Sequence, residues 1–454
     1  MKIIIVGAGQ VGYHIASRLA LENKDVVVID KNADAIKRVA DDLDVQTIIG
    51  SGSSPDALHE AGVGDAEILL AVTDSDESNL VACLVADMLS PSTKKLARVR
   101  GADFDQYHDA FRQNVPHIDT IINPEIEVVK TIDRLMSVPG AADVGEFADG
   151  RIKFVGVYLD ETCRLAGVQL MDLPNRFGKD RPLIAAVMRD DELIIPGGQD
   201  RLLPGDLVYF ISEADKLSET LSKFDKYIEP VRRVLVIGAG RIGFRLAKLL
   251  EEKSIYCKVI EKHADRCQYL AERLNKAVVL HGDGSDQGLL AEENIKEIDV
   301  VITLTNDEET NILASLLAMR MGASKSITKI SKFSYFQLMS TIGIKQVVST
   351  RLSAINTILQ HIRRGKVLSA ISLKSEEAEV IEAVALETSE IVAKPLRRVS
   401  FPKGAMVAGI MRQENIIIPT GDTVIEPNDR IIVFARKEAI TGIEKILAVK
   451  LEYF

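Results

Sequence analysis

Residues Met1–Gly12, MKIIIVGAGQVG, decide the fold, because a short apolar run meets three glycines spaced GxGxxG. The stretch returns at Arg232–Gly243 as RRVLVIGAGRIG, 231 positions on from Gly7 to Gly238. In each copy the three glycines have separate duties. The first (Gly7, Gly238) permits a tight turn after the strand, and the second (Gly9, Gly240) lets a pyrophosphate approach the backbone. The third (Gly12, Gly243) lets the next helix pack closely on the sheet. Gln10 and Val11, matched by Arg241 and Ile242, lie within the turn, and the helix after it, expected at 14–21 in the first copy, supplies free N–H groups at its start as an anion site.

Working outward, the next apolar run in each copy ends on an acid, VVVID at Asp30 and CKVIE at Glu261. An acid there accepts hydrogen bonds from both hydroxyls of an adenosine ribose and disfavours a 2′-phosphate. NAD(H) or an adenine nucleotide is therefore preferred over NADP. Further strands are expected at 46–49, 68–72, 96–99 and 119–122, and in the second copy at 277–280, 300–304, 326–330 and 346–348. Such alternation of apolar strands with helices gives a mostly parallel sheet, with the ligand beyond the strands' carboxyl ends. This puts Thr73 and Asp74, and in the second copy Thr305 and Asn306, beside the nucleotide. Thr73–Glu77 also reads as a helix cap, with Ser75 or Asp76 as the capping residue. Arg98 and Lys329, at the fifth-strand ends, read equally as phosphate partners or as surface bases paired with an acid. Gly50–Ser53 and Gly282–Ser285 are Gly-rich enough to border the nucleotide.

A second motif repeats behind the first. RDDELIIPGGQDRLLPGDLVYFI at Arg189–Ile211 is answered by RQENIIIPTGDTVIEPNDRIIVF at Arg412–Phe434. The chain is thus ordered A-B-A-B, and a period this long marks duplicated domains rather than a short-repeat solenoid. Strands are expected in module B at 183–188, 193–195 and 207–211, and again at 407–411, 416–418 and 431–435. The Pro-Gly-Asp and Pro-Asn-Asp elements before the last of these are turn chemistry, and no site is assigned near Arg189 or Arg412.

A linking helix follows each module A. Asn123-Pro124 opens the first, with Ile126, Val129, Ile132 and Met136 on one apolar face. The second carries Leu352, Ile355, Ile358, Leu359 and Ile362. These stripes need a partner, either the chain's own core or a neighbouring subunit, and subunit contacts are expected through them. Arg363, Arg364 and Lys366 read as a solvent-facing cluster of bases.

Composition bounds the rest. With 454 residues, 46% apolar and 27% charged, the chain has the make-up of two to four packed domains. A net charge of −10 argues against a nucleic-acid partner, which needs a basic face. No apolar run approaches the roughly 20 residues that span a bilayer, and no signal-peptide pattern opens the chain. Cys83, Cys163, Cys257 and Cys267 lack metal-ligand or CxxC spacing and read as isolated thiols in a reducing cytosol. No proton donor and orienter stand out as a dehydrogenase would need, and His108 and His117 read as surface or loop residues.

Together these motifs resemble the TrkA family of bacterial Trk potassium-uptake systems, built from two RCK (KTN) units. The resemblance covers essentially the whole chain and rests on the two glycine motifs, Asp30, the segment TDSDESN at Thr73–Asn79 and the B motif. It implies an α/β fold of two Rossmann-like nucleotide-binding lobes, each followed by a small α+β C-terminal lobe. The expected domains are 1–139, 140–225, 232–367 and 368–454. By the family's pattern Gly7, Gly9, Gln10 and Gly12 form the phosphate turn, Asp30 holds the ribose, Thr73 and Asp74 lie against the nucleotide, and Arg98 reaches phosphate. Gly238, Gly240, Arg241, Gly243, Glu261, Thr305, Asn306 and Lys329 fill these roles in the second half. The implied ligands are NAD(H), ATP and ADP, and the implied role is regulatory, without catalysis. The implied setting is a cytoplasmic homo-oligomeric ring, dimer or tetramer, on the inner face of the membrane against a Trk-type potassium-translocating subunit. Rival readings are a regulator of another cation channel or exchanger, an NAD-dependent oxidoreductase, and a scaffold that binds no nucleotide.

Overall fold

A computed structural model describes residues 1–113, 117–138, 140–178, 181–190, 192–227, 229–363, 366–373 and 377–447; the side chain of His108 and all of Arg364 lie outside them. The first module A is β1 (Lys2–Val6), α1 (Gln10–Leu21), β2 (Asp25–Asp30), α2 (Ala33–Asp42), β3 (Gln46–Ile49), α3 (Pro55–Glu60), β4 (Ile68–Ala71), α4 (Asp76–Leu89), β5 (Lys94–Arg98), α5 (His108–Gln113) and β6 (Thr120–Ile122). The second is β12 (Arg233–Ile237), α9 (Arg241–Glu252), β13 (Tyr256–Glu261), α10 (Ala264–Ala271), β14 (Val278–His281), α11 (Gln287–Glu292), β15 (Val300–Thr303), α12 (Glu308–Arg320), β16 (Ser326–Lys329), α13 (Phe336–Thr341) and β17 (Gln346–Val348). Both sheets are parallel and six-stranded, ordered β3-β2-β1-β4-β5-β6 and β14-β13-β12-β15-β16-β17. The central strands are apolar on both faces because helices cover both, and Ile3, Ile4 and Ile5 have no exposed surface.

The strand order reverses between β1 and β4, and again between β12 and β15. Each glycine turn leaves the carboxyl end of the strand at that reversal, where a crevice opens in such sheets.

Module B is five-stranded and antiparallel. The first copy holds β7 (Ala141–Phe147), β8 (Ile152–Tyr158), α7 (Leu173–Phe177), β9 (Leu183–Arg189), β10 (Glu192–Ile194), β11 (Leu207–Glu213) and α8 (Leu217–Lys223). The second holds β18 (Val367–Ser372), β19 (Ala378–Val384), β20 (Ala405–Arg412), β21 (Asn415–Ile417), β22 (Arg430–Arg436) and α15 (Ile440–Leu447). The sheet orders, β10-β9-β11-β8-β7 and β18-β19-β22-β20-β21, are the same order read from opposite edges. The turn residues close a clamp. Arg189 donates to Asp206 from Nε and Nη2, both at 2.7 Å, and Arg412 grips Asp429 in the same way at 3.0 and 2.8 Å. Both aspartates are almost fully buried, so each arginine satisfies a charge that would otherwise be costly.

The linking helices, α6 (Pro124–Ser137) and α14 (Thr350–Ile362), do not stay with the modules they follow. One compact unit is 1–125 with 351–364, and the other is 126–350 with 365–454. Within the first, α14 runs in the same direction as α1: Arg351 meets Gln10 and His14 at one end, and Arg363 meets Glu22 at the other. Within the second, Val128 and Ile132 of α6 share a core with Leu246, Ala247 and Leu250 of α9, and Lys253 of α9 pairs with Asp133. Two expectations are corrected here. Most of each apolar stripe is covered inside the chain, with Val129, Ile132, Met136, Ile355, Ile358, Leu359 and Ile362 buried, while Ile126 and Leu352 stay half-buried. Arg363 does not face solvent, because its side chain is fully buried against Glu22 at 2.5 Å.

The second unit also joins both B modules in one core, where Phe154 stacks on Tyr209 and on Phe434. Arg430 bridges Asp149 and Glu382, and Glu382 accepts the Ala148 N–H at 3.1 Å. Among the described residues no helix is long and apolar enough to cross a membrane.

Candidate nucleotide sites

The turn after β1 is built by two crowded glycines and one open one. Gly7 has φ +112°, and a Cβ there would lie 2.9 Å from the Thr73 nitrogen, so the ends of β1 and β4 touch. A Cβ on Gly12 would sit 1.8 Å from the Gly7 carbonyl oxygen. At Gly9 a Cβ would meet nothing within 4 Å. The second turn repeats this: Gly238 has φ +94°, Gly243 would strike the Gly238 oxygen at 2.2 Å, and Gly240 is open. Gln10 and Arg241 are exposed at the helix starts, while Val11 and Ile242 point inward and offer only their backbone. Gly52 and Gly284 press on Val6 and Ile237, bringing the loops after β3 and β14 to the same rim.

Asp30 first holds the turn itself. Its Oδ2 accepts the Ala8 N–H at 2.6 Å and its Oδ1 the Asn32 N–H at 2.8 Å. Glu261 does the same for Ala239 and His263 at 3.0 and 2.9 Å. A carboxylate has about four acceptor positions, so each acid retains capacity for ribose hydroxyls. Asp30 is partly exposed, whereas Glu261 is buried.

Thr73 and Thr305 lie at the strand ends, held by side chains that sequence reasoning left without a role. Asn79, fully buried, accepts the Thr73 N–H and hydroxyl at 2.8 and 2.7 Å and donates to the Thr73 and Arg98 carbonyls at 3.2 and 2.8 Å. Asn311 makes the matching four bonds to Thr305 and Lys329. The signal was present, since both copies of the motif end in Asn. Ser75 is the helix cap, accepting the Ser78 N–H at 3.1 Å, while Asp76 takes the N–H groups of Arg100 and Gly101. Asp74 and Asn306 are exposed on the rim, and Lys329 is partly buried at the end of β16.

Arg98 donates from Nη2 to the Thr73 carbonyl at 2.8 Å, and its buried Nε has no hydrogen-bond partner. Among the described residues no carboxylate stands within ion-pair distance of it, against the reading as a paired surface base. Burial, then repulsion from Arg100, lowers its pKa to about 10, so it stays charged at neutral pH. Arg38 and Arg266 were also missed. They donate to the Ala8 and Ala239 carbonyls at 3.1 and 2.8 Å, Arg38 lying over Tyr13 and Arg266 over Tyr269 and Phe244. They occupy different helical positions, so the repeat did not align them; the matched aromatics Tyr13 and Phe244 were the available clue. His117 is half-exposed beside Asp119, away from the turns.

The model of the TrkA-N domain matches residues 3–124 and again 234–350, and that of the TrkA-C domain matches 154–225 and 380–448. The chain belongs to the TrkA family. The Trk system potassium uptake protein TrkA of Azorhizobium caulinodans is 37% identical over 458 residues, covering 100% of both chains. That of Vibrio alginolyticus is 36% identical, over 98% of each. The family is one of potassium-uptake proteins rather than enzymes. The fold is that of RCK domains. The GsuK RCK domain aligns with TM-score 0.59 at 18% identity, over 98% of this chain and 94% of that one. The GsuK channel bound to NAD aligns with TM-score 0.59 at 18% identity, over 98% and 78%.

Proposed function

We propose that this chain is a nucleotide-binding regulatory subunit that gates potassium uptake. The observation that carries the reading is the twice-built turn, crowded at two glycines and open at the one where a pyrophosphate would approach. Arg98, a half-buried cation whose buried Nε has no hydrogen-bond partner, adds a phosphate partner at the first turn. The residues fit NAD(H) or ATP and ADP: Gly9, Gln10 and Val11 cradle phosphate through the backbone, and Asp30 takes the ribose. Thr73 and Asp74 form the rim. Gly240, Arg241, Ile242, Glu261, Thr305, Asn306 and Lys329 do the same at the second turn. Two of the structural relatives are GsuK bound to NAD and GsuK bound to ADP, which supports both ligand classes.

A bound nucleotide supplies binding energy that differs between two arrangements of the lobes. A tenfold preference at one site is worth about 1.4 kcal/mol, and several linked sites add to a decisive bias. The rearrangement passes to a Trk-type potassium-translocating subunit, with the chain assembled as a dimer or tetramer ring on the cytoplasmic face of the membrane. Titration of the purified protein with NADH, NAD, ATP and ADP, with assembly state recorded, tests this. Binding without turnover is expected, weakened about tenfold or more by Asp30→Ala. No binding of any of the four by the unaltered chain ends the proposal, and co-purification with a membrane potassium transporter tests the partner.

A further inference from the structure

Arg351 belongs by sequence to the second half, yet it is placed at the first glycine turn. Its Nη2 donates to Oε1 of Gln10, the first residue of α1, and Nη1 lies 3.3 Å from Nε2 of His14, one turn further on. The residue is 8% exposed, so solvent screens its charge poorly. The surroundings register that charge. Burial, then the Arg351 and Arg38 guanidinium groups, hold the His14 pKa down to about 4, leaving the imidazole neutral. At the other end of α14, Arg363 is buried against Glu22, so the helix that presents Arg351 is pinned at both ends to α1.

A phosphate held by the N–H groups at the start of α1 lies within one side chain's reach of this guanidinium. The two kinds of nucleotide differ there. A dinucleotide's pyrophosphate is esterified at both ends and runs on into a second nucleoside. A nucleoside di- or triphosphate ends in a free phosphate group, with extra charge and unesterified oxygens that match the guanidinium fork. Resting on the nucleotide-binding reading above, we infer that Arg351 is a specificity-determining residue of the first site, favouring nucleotides that end in a free phosphate over dinucleotides. The second turn has an arginine of its own, Arg241 at the position of Gln10, but it stands on α9 itself rather than on a linking helix. The residue equivalent to Arg351 at the start of α6 is Glu125, so an arginine presented by the linking helix is not repeated in the other copy.

The test is calorimetric titration of the full chain with ADP and, separately, NADH, for the unaltered protein, Arg351→Gln and Arg351→Lys. The inference expects Arg351→Gln to weaken ADP about tenfold at one class of site and NADH less than about twofold, with the other class unchanged. Arg351→Lys, which keeps the charge and α14's seat, should fall between. Equal loss of both ligands in both variants would mean that Arg351 only seats α14 on α1, and unchanged ADP affinity would place it outside the site; either overturns the inference while leaving nucleotide binding standing. Absence of binding by the unaltered chain is the separate outcome that removes the nucleotide reading and this inference with it.

Discussion

The two nucleotide lobes share a backbone and differ in what they bury. In the first, Lys95 is fully buried and pairs with Asp87 at 2.5 Å between β5 and α4. The equivalent positions in the second lobe are Ser326 and Met319. The second instead buries a chain of hydroxyls, Thr303 to Ser315 at 3.1 Å and Ser315 to Thr328 at 2.7 Å, where the first has Ala71, Cys83 and Ala97. The contacts with the linking helices diverge too. Glu22 of α1 is buried against Arg363, while its counterpart on α9, Lys253, meets Asp133 at a partly exposed position with the charges reversed. The turns and their asparagine struts stayed alike while their supports drifted apart. Duplicated lobes can therefore keep one ligand-holding backbone and still answer differently to salt, acid and mutation.

The largest expected contrast lies in the helix clamps. Arg363→Ala removes the buried partner that Glu22 holds at 2.5 Å and should cost about 3–5 kcal/mol in denaturant unfolding. Asp133→Ala removes an exposed pair and should cost under about 1 kcal/mol. Similar losses for the two would erase the distinction between the clamps. Next come the asparagines. Asn79→Ala and Asn311→Ala each strip four hydrogen bonds from a buried site, and each should cost about 2–4 kcal/mol. Here equality is expected, and a twofold disparity in hydrogen-exchange protection between the lobes would reveal that the struts are not equivalent.

A smaller contrast is in acid. Burial opposes ionisation of Asp87, but hydrogen bonds from Lys95 and the His117 N–H outweigh it and hold its pKa below the usual carboxylate value. A depressed carboxylate contributes stability above its unfolded pKa of about 3.9 and loses it as pH falls through the folded value. The Asp87 contribution should thus fade as pH falls below about 4, and Asp87→Asn should make amide protection around β5 and α4 less dependent on pH there. An unchanged pH profile around β5 and α4 in Asp87→Asn would count against this account.

The parallel sheets were legible because their strands are uninterrupted apolar runs, and the glycine spacing carries its backbone geometry with it. Strands β7, β8, β18 and β19 were not singled out. In β19 the acids Glu379 and Glu382 are buried within AEVIEAV, so the strand does not read as core. At the candidate sites, Gly7, Gly12, Asp30 and Thr73 announce themselves by motif. Arg38 and Arg351 do not, since one sits at an unmatched helical position and the other comes from more than 300 residues away. No local pattern encodes which lobe a linking helix will cover.

That exchange of α6 and α14 bears on how the chain could be divided. Cut near residue 230, each fragment would carry one linking helix whose covering lobe lies on the other fragment, together with a lobe left bare. Two identical fragments could satisfy each other by trading helices, but only at concentrations where they meet. Joining the halves replaces that encounter with a tethered one, whose effective concentration is set by the polypeptide rather than by expression level. The fused chain thereby fixes an unlike pair and escapes the like pairs that separate halves would form.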